Sequence, residues 1–240
     1  MTPLRSLSIF FPCYNDAGTI ASLILRAETV ARTVAEDYEI IVIDDGSTDG
    51  SRDILRQLSK SVPSLRVVLH ERNRGYGGAL RSGFDHATKD WVFYTDGDGQ
   101  YDVGELVKLV DRVSDDIDWV NGFKIKRHDP LHRIVIGLVY QHLMKFMFRL
   151  NIKDVDCDFR LVRNASLKNI VLTRSSGVIC VEMVRKFQDA GLRCVEVGVN
   201  HYFRVYGTSQ IFNVRRLFQV IIHLMKLWVE LMILTRRGTA

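Results

Sequence analysis

Cysteine and proline are scarce in this sequence, and neither is clustered. Four residues of each type are spread over 240 positions, with no Cys-x-x-Cys pair. The sequence therefore indicates neither a disulfide scaffold nor a cysteine-based zinc site, and a reducing cytoplasm is the expected compartment. No repeat, low-complexity tract or Pro/Gly/Ser-rich linker divides the chain, which is long enough to bury a sizeable core.

Long uninterrupted apolar runs are also lacking. The apolar run at residues 6–11 is too short for the core of a secretory signal and lacks a small-residue cleavage site. The longest apolar stretch, residues 217–234, is interrupted by Gln219, His223, Lys226 and Glu230. We therefore expect no membrane-spanning segment.

Basic residues form neither an arginine-rich arm nor a stripe interleaved with aromatic residues. The net charge is +5, and the lysines and arginines are dispersed. This pattern does not favour nucleic acid as a partner. Attraction to anionic lipid or to a phosphorylated substrate accounts for the same charge.

Short β-branched or aromatic runs alternate with helix-period segments in the first half of the chain. The strand candidates are residues 6–11, 39–43, 65–69, 91–94 and 119–123. Residues 20–34 show a 3.6-residue apolar period, and helices are also expected over residues 130–150 and from about residue 213. The alternation predicts an α/β fold with a mostly parallel central sheet flanked by helices.

Polar clusters follow four of the predicted strands, at residues 12–16, 44–49, 73–78 and 96–102. Ligands of open α/β sheets bind beyond the carboxyl ends of the strands. We therefore expect these four clusters to meet at one edge of the sheet and to form a site.

Asp96, Asp98 and Gln100 offer hard oxygen ligands directly after a predicted strand. Such ligands suit Mg²⁺ or Mn²⁺, and the intervening glycines let a diphosphate approach the backbone closely. A solvated acidic turn is the alternative. Asp44 and Asp45 follow another strand and would repel each other unless one is used, for instance by a ribose or a nucleobase. Asp49 or Ser47 is expected to cap the helix that starts at residue 51.

The segments at residues 12–16, 44–49, 73–79 and 95–100 resemble, in order and spacing, the motifs of family-2 glycosyltransferases of the GT-A fold. Over residues 5–215 the chain is most similar to the dolichyl-phosphate mannose synthase and polyprenyl-phosphate glycosyltransferase branch. The resemblance implies a Rossmann-like GT-A domain at residues 1–212, with a donor half up to about residue 125 and an acceptor half over 126–212. A C-terminal amphipathic helix and tail would occupy residues 213–240.

The resemblance also implies a role for individual residues on the side of a nucleotide-sugar donor. Asp16 stands where the family usually has Glu. The nucleoside would be held by Pro12, Tyr14, Asp16 and Asp45, the donor would lie beside Arg74 and Asp96, and the metal set would be Asp96, Asp98 and Gln100.

On the acceptor side, residues 154–160 resemble the segment that lies near a lipid phosphate in these enzymes. Arg160 is implied as a phosphate contact and Asp158 as a base if the acceptor is a hydroxyl, whereas simple ion pairing within the segment is the alternative. The remaining implied residues are Lys124 and Arg133, which would meet the lipid phosphate, and Arg204, His201 and Ser209 in a loop that would close over the leaving diphosphate.

The C-terminal helix shows a narrow polar stripe and a wide apolar surface bounded by basic residues, and residues 130–150 show the same pattern less clearly. Such a helix suits peripheral attachment to the inner face of a membrane, although burial in a homodimer interface is the alternative. A glycosyltransferase that builds a polysaccharide and a non-catalytic sugar-nucleotide-binding scaffold also remain open. A dinucleotide-dependent oxidoreductase is disfavoured, because no Gly-x-Gly-x-x-Gly follows the first strand.

Overall fold

The structure is a computed structural model that describes residues 2–127, 131–204, 206 and 214–234. Side chains are described for these residues apart from 126–127, 131–133, 214–218 and 234. Arg133 and Ser209, which the resemblance implies as phosphate ligands, thus have side chains outside the described residues.

Within the described ranges, seven strands and eight α-helices alternate along the chain. The strands are β1 (Leu4–Cys13), β2 (Ala35–Asp44), β3 (Leu65–Leu69), β4 (Trp91–Thr95), β5 (Trp119–Arg127), β6 (Phe159–Arg163) and β7 (Cys194–His201). The helices are α1 (Ile20–Val34), α2 (Ser51–Ser61), α3 (Tyr76–His86), α4 (Leu106–Val110), α5 (Leu131–Phe148), α6 (Asn164–Leu167), α7 (Ile179–Asp189) and α8 (Val214–Trp228), which continues as a π-helix over Val229–Leu234.

The strands form one sheet in the order β3-β2-β1-β4-β6-β5-β7. Strands β1 to β4 and the β5–β7 pair run parallel, whereas β6 is antiparallel to both β4 and β5. The predicted mostly parallel sheet is thereby confirmed, as are its five predicted strands. The predicted pattern leaves out β6 and β7, because β6 carries an arginine at each of two positions and β7 is only half buried.

Apolar residues cover both faces of the sheet, so the strands at its centre are almost continuously buried. One face packs against α1 and α4, with Ile24 and Leu106 fully buried. The other face packs against α3, α5, α7 and α8, with Leu80, Phe148 and Leu227 fully buried. This two-sided cover is the expected arrangement for a parallel sheet.

The helix α8 divides its apolar residues between the core and the surface. Leu224, Leu227 and Leu231 are buried against the α7 side of the core, whereas Ile221 and Met225 are exposed. Among the residues that the structure describes, none of the helices combines the length and the apolar character required to cross a bilayer.

Gly83 allows α3 to pack tightly on the sheet. A Cβ atom at this position would overlap the ring of Phe10, which is fully buried and stacks on Tyr94 at 5.3 Å between ring centroids. The close contact of α3 with β1 therefore depends on the missing side chain.

We predict that Gly83→Ala lowers the free energy of unfolding by about 1–3 kcal/mol, because overpacking outweighs the higher helix propensity of alanine. Urea denaturation measures the effect. Gly177→Ala is the control, since a Cβ there meets no described atom within 4 Å, and its change should stay within about 0.5 kcal/mol. A neutral or stabilising Gly83→Ala would contradict this packing.

Candidate active site

The polar clusters that follow β1, β2, β3 and β4 meet at one edge of the sheet, as predicted. The N–H of Asp45 donates to the carbonyl of Cys13 at 2.9 Å, and the N–H of Arg74 donates to Asp45 Oδ1 at 2.8 Å. The hydroxyl of Tyr76 donates to Asp96 Oδ1 at 2.6 Å. These contacts join all four clusters into one surface.

The antiparallel direction of β6 adds a further acidic residue to this edge. Thr95 at the carboxyl end of β4 pairs with Phe159 at the amino end of β6. Asp158, which directly precedes β6, therefore lies on the same side as Asp96 and Asp98.

Asp45 is buried and held from several directions. Its Oδ1 atom lies 2.6 Å from His70 Nδ1, and His70 Nε2 lies 2.8 Å from the hydroxyl of Ser82. The N–H of Arg74 donates to the same oxygen. The orientation of the carboxylate is thus fixed before any ligand arrives, and only the position of His70 directly after a strand hints at this in the sequence.

Asp44 has a structural role that differs from that of its neighbour. It is fully buried and pairs with Arg52 Nε at 2.6 Å, while another nitrogen of Arg52 donates to the carbonyl of His70 at 2.7 Å. The repulsion expected between the adjacent carboxylates is thereby offset. At the start of α2, Asp49 Oδ1 accepts the N–H of Ser51 at 3.1 Å, although the cap position itself is taken by Gly50.

Asp98 forms the contact between the loop after β4 and the segment after β7. Its Oδ2 atom lies 2.5 Å from Arg204 Nη2, and its Oδ1 atom accepts the N–H of Gln100 at 3.0 Å. Gln100 in turn exchanges hydrogen bonds with the backbone of Tyr202, at 2.8 and 3.0 Å. Arg204 is thereby held at the acidic cluster, and its implied role at a leaving diphosphate stays a prediction.

Gly97 sets how closely this loop approaches the end of β1. A Cβ atom there would lie 2.5 Å from the carbonyl oxygen of Pro12 and 3.1 Å from Asp16 Oδ2. Pro12 is buried, whereas the side chain of Tyr14 is 42% exposed beside the edge. The donor-side residues named from the sequence are therefore neighbours in space.

Arg160 lies fully inside the protein. Its guanidinium donates to Asn121 Oδ1 at 2.7 Å, the Tyr94 hydroxyl at 2.6 Å and the Val155 carbonyl at 2.5 Å. Nη1 also lies 3.4 Å from Asp158 Oδ1. A direct phosphate contact does not fit this position, because the side chain is fully buried and each of its three guanidinium nitrogens bonds to protein, and the ion-pair alternative fits it better.

Lys124 and His201 are also turned toward the protein. Lys124 Nζ donates to the carbonyl of Asp156 at 2.7 Å and lies 3.5 Å from Asp154 Oδ2, with a mostly buried side chain. His201 is buried, with its ring 5.1 Å from that of Tyr101 in an edge-to-face contact. Lys124 thus links β5 to the 154–156 loop, and His201 supports the base of the Arg204 segment.

The sequence profile described as "Glycosyl transferase family 2" matches residues 8–171, which include every segment of the acidic edge up to β6. The chain belongs to glycosyltransferase family 2. It is accordingly an enzyme of the glycosyltransferase type, as the resemblance implied.

Curated and solved relatives of this family-2 glycosyltransferase include three informative proteins. An undecaprenyl-phosphate 4-deoxy-4-formamido-L-arabinose transferase of Klebsiella pneumoniae (strain 342) is 28% identical over 209 residues, 87% of this chain and 63% of the relative. A Mycobacterium tuberculosis glucosyl-3-phosphoglycerate synthase with Mn²⁺ and UDP-glucose superposes with a TM-score of 0.69, at 19% identity, over 93% of this chain and 79% of that one. A Pyrobaculum calidifontis mannosyltransferase with GDP-Man and Mn²⁺ gives 0.61, at 16% identity, over 87% and 59%.

These comparisons establish the GT-A fold that the resemblance implied, a mixed α/β architecture with a mostly parallel sheet between helices. The chain spans less than two thirds of the length of the Klebsiella relative.

Burial and repulsion between neighbouring carboxylates raise the pKa values of the acids at the acidic edge. Burial, followed by the charges of Asp158 and Asp98, raises the pKa of Asp96 well above its usual range. Burial also raises the pKa of Asp98 despite the opposing effect of Arg204. The pKa of Asp16 is raised to about 6, again mainly by burial, with a contribution from Asp98. The cluster is short of positive charge and favours a bound cation.

A divalent metal fits the chemistry of this donor set. Asp96 and Asp98 supply carboxylate oxygens whose described cationic partner is Arg204, on Asp98 alone, and Gln100 lies beside them. Across the described part of the chain, no three acidic, histidine or cysteine side chains are grouped as ligands of one ion. Two carboxylates completed by substrate phosphates and water are a common way to hold Mg²⁺.

We predict that Asp16→Asn raises the melting temperature at about pH 7.5, in EDTA, and has little effect near pH 4. The folded-state pKa of about 6 lies above the unfolded value of 3.8, so stability from this group is present below pH 3.8 and is lost as the pH rises through 6. Asparagine removes the buried charge but can still accept the N–H of Tyr14.

The matched control is Asp115→Asn, which alters an exposed acid after α4. Its melting temperature should follow the unmodified protein at both pH values. If Asp16→Asn lowers the melting temperature at pH 7.5, the ionised carboxylate of Asp16 does not destabilise the folded protein, and the prediction is wrong.

Proposed function

We propose that this enzyme transfers a sugar from a nucleotide-sugar donor to a lipid-linked phosphate, with a divalent metal at the acidic edge. The observation that carries the proposal is the cluster of Asp16, Asp96 and Asp98 with Arg204 as its cationic partner. The Klebsiella relative is named for transfer to undecaprenyl phosphate, and the superposable structures hold UDP or GDP-Man with Mn²⁺. These names support the proposal without identifying the base or the sugar.

The nucleoside would bind at the carboxyl ends of β1 and β2. Asp45 is oriented there by His70, and Tyr14, directly after β1, is exposed. Asp16, whose carboxylate lies beside Gly97, would stand between the nucleoside and the metal. The exposed side chain of Arg74, which starts at the same turn, would lie along the donor.

Asp96, Asp98 and Gln100 would hold Mg²⁺ or Mn²⁺, which when bound neutralises charge on the diphosphate. Arg204 is held within reach of the same region by Asp98. Its guanidinium would pass from the carboxylate to the departing phosphate oxygens, because an anion of higher charge competes for the same donors. Tyr76 would keep Asp96 oriented through its hydroxyl.

A phosphate acceptor is already an anion at neutral pH, so it can attack the anomeric carbon in a single displacement without a strong general base. Asp158 is then a positioning group, held by Tyr94, Arg160 and Cys180, whose sulfur lies 3.2 Å from Oδ1. Asp158 would act as a base only toward a hydroxyl acceptor.

Membrane attachment is proposed for α5, which follows the carboxyl end of β5 and therefore begins at the edge that holds the site. Val139 and Phe146 on this helix are 64% and 84% exposed, and the neighbouring exposed apolar residues are Val135, Ile136, Leu138 and Leu143. An apolar surface of this kind beside an acceptor site suits the interface of a bilayer. We propose a cytoplasmic enzyme bound peripherally to the inner face of a membrane.

We predict that Asp98→Asn abolishes metal-dependent release of nucleotide, because it removes a carboxylate from the metal set and the partner of Arg204. The assay tests UDP- and GDP-sugars with Mn²⁺ or Mg²⁺, with and without a polyprenyl phosphate. Asp115→Asn, an exposed acid remote from the edge, should retain full activity.

Release that needs both one donor and the lipid supports the proposal. Undiminished turnover of Asp98→Asn would contradict the donor-site assignment. Release that proceeds with a glycan acceptor in place of the lipid would favour a polysaccharide-building enzyme, and absence of nucleotide binding to the intact protein would favour a scaffold.

We predict that Phe146→Glu reduces co-sedimentation with anionic liposomes several-fold, since it places a charge on the apolar surface of α5. Leu25→Glu is the matched control, because Leu25 on α1 is also exposed, at 51%, and should leave binding unchanged. If Phe146→Glu instead converts a dimer to a monomer, measured by light scattering, and liposome binding is unaffected, this surface is a dimer interface.

A further inference from the structure

A second charged concavity runs along α3 toward the edge of the sheet opposite Asp96. It has a volume of about 1180 Å³ and follows α3 from Arg74 to Asp85. Its far end is formed where β4 begins at Trp91 and β6 ends at Arg163. Since β4 ends at Thr95 beside the acidic cluster, the basic groove, as we name this concavity, opens at the other end of the strand.

Positive charge dominates the lining of the basic groove. Its charged residues are the cations Arg5, Arg74, Arg81, Lys89, Arg163 and Lys168 and the acids Asp85 and Asp90. The net excess is six cations minus two acids, or four positive charges. The acidic edge and the basic groove thus have opposite electrostatic character, although α3 contributes to both.

Two of the six cations are engaged by the protein. Lys89 pairs with Asp37 at 2.5 Å, and Arg163 donates to the carbonyls of Ser114 and Ile117 while it stacks on Trp91. For the side chains of the other four, the residues that the structure describes provide no carboxylate within 4.0 Å. Those four are Arg5, Arg74, Arg81 and Lys168.

Arg81 provides the most specific observation. Its Nε atom is buried, and no described group accepts its hydrogen bond. A buried donor without an acceptor costs about 1–3 kcal/mol, and because Nε is closed to solvent, a ligand in the groove would meet the terminal nitrogens of this guanidinium. The donor belongs to a planar guanidinium that lines the groove, which is the geometry that recognises phosphate oxygens.

We infer that the basic groove is a second anion-binding site, which takes a phosphoryl or pyrophosphoryl group through Arg81 and Lys168. The apolar wall formed by Leu167, Ile170 and Leu172 would face the uncharged part of such a ligand. A lipid headgroup and a soluble phosphate compound share this chemistry. Neither Arg81 nor Lys168 belongs to the donor site, although Arg74 lines the groove at its donor-side end, and the anion site does not require a metal.

The test is isothermal titration of the full chain with inorganic pyrophosphate in EDTA, without donor or acceptor. We expect saturable binding that Arg81→Gln/Lys168→Gln weakens by about tenfold or more, because two charge-assisted contacts are lost. Arg56→Gln/Lys60→Gln makes the same charge change on the exposed side of α2 and should alter binding less than about twofold.

Absence of binding, or equal weakening by the two double variants, would overturn the proposal, since the latter indicates attraction to net charge alone. Arg5→Gln/Lys168→Gln is the second variant if the first does not fold, as judged by its melting temperature. Short-chain phosphatidic acid, titrated as monomers, identifies the source: tighter binding than pyrophosphate indicates a lipid headgroup, and weaker binding a soluble phosphate. Because no turnover is measured, the outcome is independent of the proposed transferase activity.

Discussion

The concentration of carboxylates at one edge of the sheet is the constraint on which the other features of the site depend. Asp16, Asp96, Asp98 and Asp158 influence one another electrostatically, and burial raises the pKa of the first three. Arg204 is the exposed cation that offsets them, while Arg160 is sealed within the core. Repulsion between these carboxylates destabilises the protein in the absence of ligand. A cation, or a diphosphate with its metal, would relieve that repulsion and would therefore bind more tightly.

The carboxylates at this edge fall into two groups according to how the protein balances them. Asp44 has the direct partner Arg52, and Asp45 has His70 together with the backbone of Arg74. Asp96 receives only the neutral hydroxyl of Tyr76 among the contacts described, and its pKa remains raised. The protein thus supplies direct partners to the acids that shape the loops, whereas Asp96 has no cation among its described direct contacts.

Local sequence patterns predict the parts of the fold that depend on local periodicity. The five strands from β1 to β5, helix α1 and the meeting of four polar clusters all follow from apolar runs and their flanking turns. The antiparallel direction of β6 does not, because strand direction depends on non-local pairing with β4 and β5. An arginine between apolar residues is expected to be exposed. The burial of Arg160 is not predictable from the local sequence, because it depends on the distant residues Asn121 and Tyr94, which accept its hydrogen bonds. The contacts of His70 with Asp45 and of Tyr76 with Asp96 are likewise not predictable from the local sequence, because they also join distant parts of the chain.

The C-terminal helix and the acidic edge are linked through residues 173–176. Buried Glu182 holds this segment by accepting the N–H groups of Thr173 and Arg174, and Arg174 also pairs with Glu230 beyond α8. The carbonyl of Ser175 accepts the N–H of Gly77 at 2.9 Å, next to Tyr76, and a Cβ atom at either Gly75 or Gly77 would overlap this segment. The glycines at the start of α3 are therefore required by the approach of another chain segment. The end of the C-terminal helix and Tyr76, the residue that orients Asp96, thus contact the same segment.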